Sequence, residues 1–304
     1  MSQNKLIATP FVKWVGGKGR LLSDLRKKYP SKLGVQYTKY FELFVGGGAV
    51  LFDLLASYEF SQVIINDINP ELINAYIQIQ TNPLPLIENL KVLSSVYSAK
   101  EKQDQKLMYY EIRNNFNESK KQSHKDADKI KEAAFLIFLN KTCYNGLYRV
   151  NRDGEFNVPM GRYINPRICD EKNIILCSKL LKNVDIRCGD YKDIKDEIDN
   201  ESFVYCDPPY RPISPTSSFT GYHNSDFKDS EQQELAKFIL DLSSKGAAFL
   251  ISNSDPKNTE VNDSFFDDLY KQNNIQRITV QRMIKGKDKR KVQELLITTY
   301  ESDS

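Results

Sequence analysis

The feature that most constrains the fold is a regular alternation of strand-like and helix-like segments. Short runs of β-branched and aromatic residues predict strands, and amphipathic stretches such as Gly48–Ser57, Pro70–Ile79 and Ser230–Ser243 predict the helices between them. The predicted strands lie near Tyr40–Val45, Gln62–Asn66, Val184–Cys188, Ser202–Cys206, Ala247–Ser252, Ile278–Arg282 and Glu294–Tyr300. This order predicts an α/β fold with a mostly parallel sheet covered by helices on both faces.

The alternation is interrupted between residues 81 and 182. That stretch is mainly helical by pattern, with Tyr109–Asn117 and Ala127–Asn140 its clearest helices, and it contains a loop rich in Gly, Asn, Pro and Arg from Tyr144 to Arg167. We therefore interpret residues 81–182 as an inserted helical module with a hairpin near 144–163, and residues 1–80 and 183–304 as the α/β domain around it. The 304 residues, 40% of them hydrophobic, suffice for one large core and such an insertion.

Composition and charge narrow the class of protein. No segment reaches the roughly 20 apolar residues of a membrane helix, and the first ten residues lack a signal-peptide pattern, so we expect the protein to remain in the cytosol. The five cysteines form no Cys-x-x-Cys pair, which predicts reduced thiols and no metal site. The net charge is only +3, but the sequence contains two basic runs, Lys141–Arg167 and Arg277–Lys291. Each run is either a solvated surface or a contact for nucleic-acid phosphates.

A glycine-rich turn, Gly46-Gly47-Gly48, follows the first predicted strand and precedes a helix. Glycines let the backbone approach a ligand closely, and the helix N-terminus offers free N–H groups. Leu51 occupies the third glycine position of the Gly-x-Gly-x-x-Gly pattern, which disfavours a pyrophosphate ligand and a nicotinamide dehydrogenase. Asp67 ends the second strand about twenty residues after Gly46, a spacing typical of an acid that binds ribose hydroxyls. The turn and the acid together predict a nucleoside cofactor.

The strongest motif is Asp207-Pro208-Pro209-Tyr210, which follows the strand that ends at Cys206. Two prolines after a strand form a stiff turn and end the hydrogen-bond ladder. The Asp207 carboxylate and the Pro208 carbonyl are two acceptors suited to the two protons of the adenine amino group, whose nitrogen is otherwise a poor nucleophile. Tyr210 can stack on an extruded base. The motif therefore predicts in-line methyl transfer to an amino nitrogen, carried by positioning and electrostatics.

Taken together, these motifs resemble the DNA adenine methylase family, whose members use S-adenosylmethionine. The resemblance runs from Phe11 to Tyr300 and also includes Lys13-Trp14-x-Gly16-Gly17-Lys18, with the motifs in the alpha, or D12, order. It implies a Rossmann-like methyltransferase with a mixed sheet and an inserted, mainly helical DNA target-recognition module. The implied catalytic residues are Asp207, Pro208, Pro209 and Tyr210. The residues implied to bind S-adenosylmethionine are Trp14, Lys18, Phe44, Gly46, Gly48, Asp67, Asp190, Tyr191 and Asp207.

The loop from Tyr144 to Tyr163 resembles the recognition hairpin of family members that act on GATC. By this resemblance Arg149 reads a guanine, and Tyr144 with Asn145 holds the space left by the flipped adenine. Tyr148 is bulkier than the residue that some relatives carry there, and we expect little consequence. The residues implied to contact DNA are Lys13, Tyr144, Asn145, Leu147, Arg149, Pro159, Arg162 and Tyr163. By its own chemistry Lys141 is a further candidate for a phosphate contact.

The resemblance implies methyl transfer to N6 of a flipped adenine in double-stranded DNA, at GATC. It implies a monomer in the cytosol of a bacterial cell or a phage-infected bacterial host, with no membrane or metal partner. Two alternatives stay open: an amino-methyltransferase that acts on another DNA site or on RNA, and a DNA-binding regulator without catalysis. RNA and protein-glutamine methyltransferases usually carry Asn in place of Asp207, and cytosine-N4 enzymes usually carry Ser. The intact Asp207–Tyr210 motif and the glycine turn disfavour a regulator.

Overall fold

The computed structural model describes residues 8–121, 126–211, 227–283 and 289–301. The helices in these ranges are α1 (Leu22–Arg26), α2 (Ala49–Ser57), α3 (Pro70–Thr81), α4 (Pro83–Ser98), α5 (Lys102–Ser119), α6 (Asp126–Thr142), α7 (Glu171–Leu181), α8 (Asp229–Ser243) and α9 (Phe265–Leu269). The strands are β1 (Lys39–Glu42), β2 (Gln62–Asp67), β3 (Asp185–Cys188), β4 (Ser202–Cys206), β5 (Ala248–Ser254), β6 (Asn274–Met283) and β7 (Lys289–Thr298). Residues 284–288 of the second basic run lie outside the described residues.

The described strands form one mixed sheet in the order β3-β2-β1-β4-β5-β7-β6. Strands β1 to β5 run parallel, β7 pairs antiparallel with β5, and β6 pairs antiparallel with β7. The chain thus moves outward from β1 to β3 and then returns to add β4 on the other side of β1. Sheets of this kind bind ligands at such a reversal, beyond the carboxyl ends of the two central strands. The predicted α/β fold class is confirmed.

The core has two parts, one on each face of the sheet. Strand β4 is buried on both sides: Phe203 and Tyr205 pack into the cluster that includes α2, α3, α6 and α7, whereas Val204 and Cys206 pack into the cluster that includes α8 and α9. The helices α3, α4, α6 and α7 contact one another, so the segment from 81 to 182 packs on one face of the sheet. None of the helices in the described ranges combines the length and the apolar character that crossing a lipid bilayer demands.

Several elements are longer than predicted, and the helices α1, α4, α7 and α9 match none of the helices predicted by name. Strand β6 begins at Asn274 rather than near Ile278, because it lies at the edge of the sheet, where polar residues alternate with apolar ones. Helix α4 carries prolines at positions 83 and 85, which read as breakers but lie in the first turn, where a missing N–H is tolerated. Helix α7 begins after Asp170, whose carboxylate accepts a hydrogen bond from the Asn173 N–H.

Candidate active site

A cavity of about 1100 Å³ opens at the carboxyl ends of β1, β2 and β4. Its wall contains the glycine turn after β1, Asp67 at the end of β2 and the segment Asp207–Tyr210 after β4. The N-terminal segment Lys13–Lys18 forms another part of the wall. Because parallel strands bring their carboxyl ends to one edge of the sheet, motifs far apart in sequence meet here.

The glycine turn forms a tight backbone cradle at the start of α2. Gly46 and Gly48 have left-handed backbone angles, with φ of +48° and +73°, which favour glycine. A Cβ atom on Gly46 would lie only 2.8 Å from the Trp14 ring, so the indole packs directly on the turn. Asp67 supports the turn from the next strand, since its Oδ2 accepts a hydrogen bond of 3.0 Å from the Gly46 N–H. The N-cap of α3 is Asn69, not Asp67, because Asn69 accepts from the Leu72 N–H.

Aromatic residues cover the side of the cavity that faces β3. The rings of Phe44 and Tyr191 lie 5.4 Å apart, and Phe227 packs edge-on against Phe44. The Tyr191 hydroxyl is buried and has no hydrogen-bond partner in the described part of the chain. Asp190 is exposed at the rim, where its Oδ1 accepts from the Lys192 N–H. This wall therefore offers an apolar slot with a polar group at its base.

Lys18 is the buried cation of the cavity, with only 3% of its surface exposed. Its Nζ forms an ion pair with Asp207 and donates to the Gly16 carbonyl at 2.8 Å. The same ammonium lies 5.0 Å from the centre of the Tyr210 ring. The segment Lys13–Lys18 thus contacts the carboxylate after β4 although the two are far apart in sequence.

Asp207 is held through both of its carboxylate oxygens. Oδ2 meets Lys18, and Oδ1 accepts a hydrogen bond of 2.9 Å from the Ser252 hydroxyl. Burial raises the pKa of the Asp207 carboxyl, and Lys18 and Ser252 oppose that rise because both stabilise the ionised form. The carboxylate is therefore a partly buried acceptor whose charge depends on its donors.

The two prolines and Tyr210 complete this part of the site. The Pro209 carbonyl accepts from Gln232 of α8 at 3.0 Å, which anchors the turn, whereas the Pro208 carbonyl has no hydrogen-bond partner within the described ranges. The Tyr210 hydroxyl donates to Glu294 of β7 at 3.3 Å. A carboxylate, a backbone acceptor and an aromatic ring thus lie within the four residues of one stiff turn.

Residues 143–160 follow α6 and double back on themselves within the segment 144–163, where a hairpin was predicted. Isolated antiparallel bridges join Cys143 to Met160 and Val150 to Phe156. Tyr144 keeps 53% of its surface exposed, and Asn145 adopts a left-handed backbone with φ of +57°, which few non-glycine residues tolerate. Of the other residues predicted to contact DNA on the hairpin and the loop after it, Arg149, Pro159 and Arg162 are exposed, and Leu147 and Tyr163 are half-buried.

Comparison with known proteins identifies the family. Residues 14–284 match the model of the D12 class N6 adenine-specific DNA methyltransferases. The chain belongs to this family. It is 49% identical over 295 residues to the type II methyltransferase M.MjaIII of Methanocaldococcus jannaschii, covering 96% of this chain and 99% of that protein. It is 35% identical to the type II methyltransferase M1.LlaDCHI of Lactococcus lactis, and 33% identical to the DNA adenine methylase of Escherichia coli K12, with at least 93% of each protein covered.

As a D12-class enzyme, the protein is an adenine-N6 DNA methyltransferase, which implies S-adenosylmethionine as the methyl donor. The cavity fits this donor, which joins a nucleoside to an amino acid through a sulfonium. Asp67 is an acceptor at the position suited to ribose hydroxyls, and the buried Tyr191 hydroxyl lacks a partner in the described residues. Lys18 supplies a cation for a carboxylate, and the glycine turn leaves room for close approach. In the described ranges no three His, Cys, Asp or Glu residues form a metal-binding group.

The methyltransferase joins its N-terminal segment to the hairpin through Asn140, a residue that sequence reasoning did not single out. The Asn140 side chain accepts from the Lys13 N–H and donates to the carbonyls of Lys13 and Gly146, all at 2.8 to 2.9 Å. The Lys13 ammonium then donates to the Tyr163 hydroxyl at 3.0 Å. The amide of Asn140 therefore brings Lys13 beside the residues predicted to read DNA.

Tyr148 forms a second link between the cavity and the hairpin of the methyltransferase. Its buried ring stacks on Trp14 with 5.5 Å between ring centres, and its hydroxyl donates to Glu71 of α3 at 3.0 Å. Lys120 pairs with Glu71 and donates to the Gly154 carbonyl at the tip of the hairpin, each at 2.6 Å. The bulky Tyr148, expected to matter little, thus lies at the centre of a buried polar network.

Sequence reasoning also passed over Ser252 and Glu294, whose side chains contact Asp207 and Tyr210. No local motif marks either residue, because each is one polar position in a strand on the far side of β4 from the glycine turn. The pairing of β4 with β5 and of β5 with β7 brings them beside Asp207 and Tyr210 of the cavity wall. An unexpected buried serine or glutamate within an apolar strand is the signal that could have indicated them.

Proposed function

We propose that this enzyme methylates N6 of adenine in double-stranded GATC sites after flipping the adenine into the cavity. The proposal is carried by one observation: the Asp207 carboxylate lies in the same cavity as the glycine turn and Asp67. A nucleoside donor held by the turn and an adenine held by Asp207 would share a single cavity. Adenine inside a duplex cannot reach such a cavity without leaving the base stack.

In this proposal the β1 and β2 side of the cavity binds S-adenosylmethionine. The Asp67 carboxylate accepts hydrogen bonds from the ribose hydroxyls, and the adenine ring of the donor lies against Phe44 and Tyr191. Asp190 at the rim adds an acceptor for an exocyclic amine. The absence of Cβ atoms at Gly46 and Gly48 lets the donor approach the backbone, and Trp14 closes this side.

Lys18 has two roles in the proposed reaction. Before the substrates bind, its ammonium neutralises Asp207. We infer that the donor's carboxylate competes for this ammonium, because the two carboxylates are alternative partners for one cation. If the Lys18 ammonium paired with the donor's carboxylate instead, Asp207 Oδ2 would be available to the target amine.

Asp207 and Pro208 then orient the target nitrogen. S-adenosylmethionine supplies an electrophilic methyl group on its sulfonium. The Asp207 carboxylate and the Pro208 carbonyl each accept a hydrogen bond from the amino group, which directs the nitrogen lone pair towards that methyl group, and Tyr210 stacks on the extruded ring. As the nitrogen bonded to the methyl carbon, the bond from that carbon to the donor's sulfur would break with its electron pair left on sulfur, and Asp207 would take the proton that the nitrogen loses.

Residues 81–182 serve in this proposal as the target-recognition module. Arg149 is exposed, and its Nε donates to Asn157 at 2.7 Å, which leaves the other guanidinium donors for a guanine edge. Tyr144 and Asn145 fill the gap left by the flipped adenine, while Leu147 and Pro159 contact base edges. Lys13 reads the outer guanine beside Tyr163, and Arg162 contacts a phosphate.

The assignment of GATC is supported by the hairpin sequence and by similarity to enzymes named DNA adenine methylases at 33–34% identity. The relative with 49% identity is named only as a type II methyltransferase, a name that gives no site. A different recognition site is therefore the second candidate.

One experiment tests the reaction and the site together. The gene is expressed in a host that lacks adenine methylation, and methylated bases are mapped across the genome. We expect N6-methyladenine in GATC and at no other sequence. Methylation of adenine at another sequence would reject GATC but keep the reaction, and methylation of cytosine, or of none of the DNA, would reject the proposed function. Purified enzyme with GATC duplexes and matched RNA would separate DNA from RNA.

A further inference from the structure

We propose that Ser252 is a positioning residue for methyl transfer: together with Tyr205 it fixes one oxygen of Asp207 so that the other oxygen faces the target amine. The inference rests on the proposed role of Asp207. Ser252 lies in β5 and is fully buried, and its hydroxyl donates to Asp207 Oδ1 at 2.9 Å.

The donors and acceptors on the Asp207 carboxylate, the Ser252 hydroxyl and the Tyr205 hydroxyl set the direction of the hydrogen bonds. An ionised carboxylate only accepts, so the single proton of Ser252 points to Asp207. The Tyr205 and Ser252 hydroxyl oxygens lie 2.8 Å apart, and with the Ser252 proton already used, Tyr205 must be the donor. Tyr205 is itself 1% exposed. The result is a chain of two oriented hydroxyls, anchored in the core and ending at Oδ1.

The two oxygens of Asp207 are held by elements of different rigidity. Oδ1 meets Ser252, which comes from a central strand paired with β4 up to Cys206 and Ile251. Oδ2 meets Lys18, whose ammonium ends a long side chain at the start of the short 3-10 helix Lys18–Arg20. A target amine can displace the lysine but not the serine, because the ammonium lies at the end of a flexible stem, whereas the short serine side chain is fixed on a central strand. Oδ2 is therefore the oxygen that reacts.

Charged and titratable groups surround Asp207 from several elements. Lys18 comes from the N-terminal segment, Glu294 from β7 and Glu42 from β1, and the phenols of Tyr205 and Tyr210 lie nearby. Burial raises the pKa of Asp207, and the nearby Glu294 raises it further, whereas Lys18 and Ser252 lower it. Once the Lys18 ammonium pairs with another group, Ser252 is the remaining side-chain donor to Asp207 within the described ranges, and its hydrogen bond keeps the carboxyl ionised. Burial also raises the pKa of Glu42, to about 8, so any effect of Glu42 falls at higher pH.

The test measures the single-turnover rate of methyl transfer against pH, with DNA prebound and S-adenosylmethionine added at saturation. Ser252→Ala should lower the rate about 10- to 100-fold near neutral pH and move the acid limb of the profile up by about one pH unit, because a hydrogen bond to a charged group is lost. The KM values of DNA and donor should stay within about twofold of the wild type, since Ser252 touches neither in this proposal. Ser252→Thr, which keeps the hydroxyl, should restore the rate and the acid limb.

Two further variants separate positioning from folding. Ser252→Ala leaves the buried Tyr205 hydroxyl without its partner, so the double variant Ser252→Ala/Tyr205→Phe should recover thermal stability while its rate and acid limb stay defective. The matched control is Ser202→Ala at the other end of β4, where a buried serine bonds Asp199 at 3.0 Å far from the cavity. Its stability should fall and its pH profile should not move.

The inference is overturned if Ser252→Ala keeps the wild-type rate and acid limb, or if the double variant regains its rate together with its stability. Asp207→Ala distinguishes these failures from failure of the proposed function. An inactive Asp207→Ala beside an unaffected Ser252→Ala would reject only the role of Ser252, whereas an active Asp207→Ala would reject the role of Asp207 itself.

Discussion

The cavity and the hairpin hold their functional side chains in opposite ways. In the cavity, Lys18 is 3% exposed, and Asp207 is held through both of its oxygens. On the hairpin, Tyr144 is 53% exposed, and the Arg149 side chain makes one hydrogen bond within the described residues, to Asn157 of the same hairpin. The difference follows from the proposed ligands. Methyl transfer needs fixed, desolvated groups around the reacting atoms, whereas reading DNA needs donors that reach out into a groove.

The comparison teaches where substitutions should act. Changes in the cavity should alter the rate of chemistry, and changes on the exposed face of the hairpin should alter sequence preference with little loss of stability. Tyr148 breaks this division because it belongs to the hairpin yet stacks on Trp14 of the cavity wall. Four predictions test the comparison, from the largest expected effect to the smallest.

Asp207→Ala is expected to have the largest effect. It removes both the acceptor for the target amine and the acceptor for its proton, so turnover should fall at least 10³-fold, on the order of the loss when a preorganised transition-state group is deleted. DNA binding should remain measurable, because the hairpin is untouched. Radiolabelled methyl incorporation gives the rate, and a gel-shift titration gives the affinity. Turnover near the wild-type level would contradict the proposed role.

Tyr148→Ala should cost about 3–5 kcal/mol in the free energy of unfolding, because it leaves a cavity where a large buried ring packed. Tyr148→Phe keeps the ring and loses the hydroxyl, which donates to Glu71 at 3.0 Å and accepts from Lys120 at 3.5 Å, so it should cost about 1 kcal/mol. Tyr144→Ala, four residues away on the exposed face, is the control and should change stability by less than about 0.5 kcal/mol. Urea unfolding measures all three. Equal losses for Tyr148→Ala and Tyr144→Ala would remove the contrast between the buried and exposed sides of the hairpin.

Arg149→Ala tests the hairpin side of this comparison, through the discrimination at a single base pair. The lost bidentate contact should reduce discrimination at one guanine by about 1–3 kcal/mol, with kcat on the cognate site less affected than in the cavity variants. Methylation rates on GATC duplexes with each single-base change give the discrimination. A sequence preference identical to that of the wild type would refute the guanine assignment.

Lys141 gives the smallest predicted effect, through pH. Burial lowers the pKa of its ammonium to about 8, and the nearby charge of Lys13 contributes. The group is therefore charged below that pH and loses its charge as the pH rises towards 9. If the charged form contacts a phosphate, DNA affinity should fall over this window by less than about tenfold. Lys141→Arg stays charged, so its affinity should vary less with pH. Titrations of both proteins from pH 7 to 9 check this, and parallel curves would exclude the contact.

The sequence by itself determined the fold class and the catalytic edge of the sheet. The glycine turn, Asp67 and Asp207–Tyr210 are local motifs, and each follows a strand whose apolar run is visible in the sequence. Because parallel strands place their carboxyl ends on one edge, the meeting of these motifs could be inferred without coordinates. The edge strand β6 and the proline-led helix α4 were harder to predict, because their patterns mix polar and apolar residues.

Only the tertiary structure decided which side chains support that edge. Ser252 reaches Asp207, Asn140 reaches Lys13, and Tyr148 reaches both Trp14 and Glu71, across separations of 45 to 134 residues. A single polar residue in a strand or helix is not part of a periodic pattern, so its hydrogen-bond partner cannot be predicted from the sequence around it. Its partner is fixed by strand order and helix packing, which depend on the burial of the whole apolar surface rather than on any local segment.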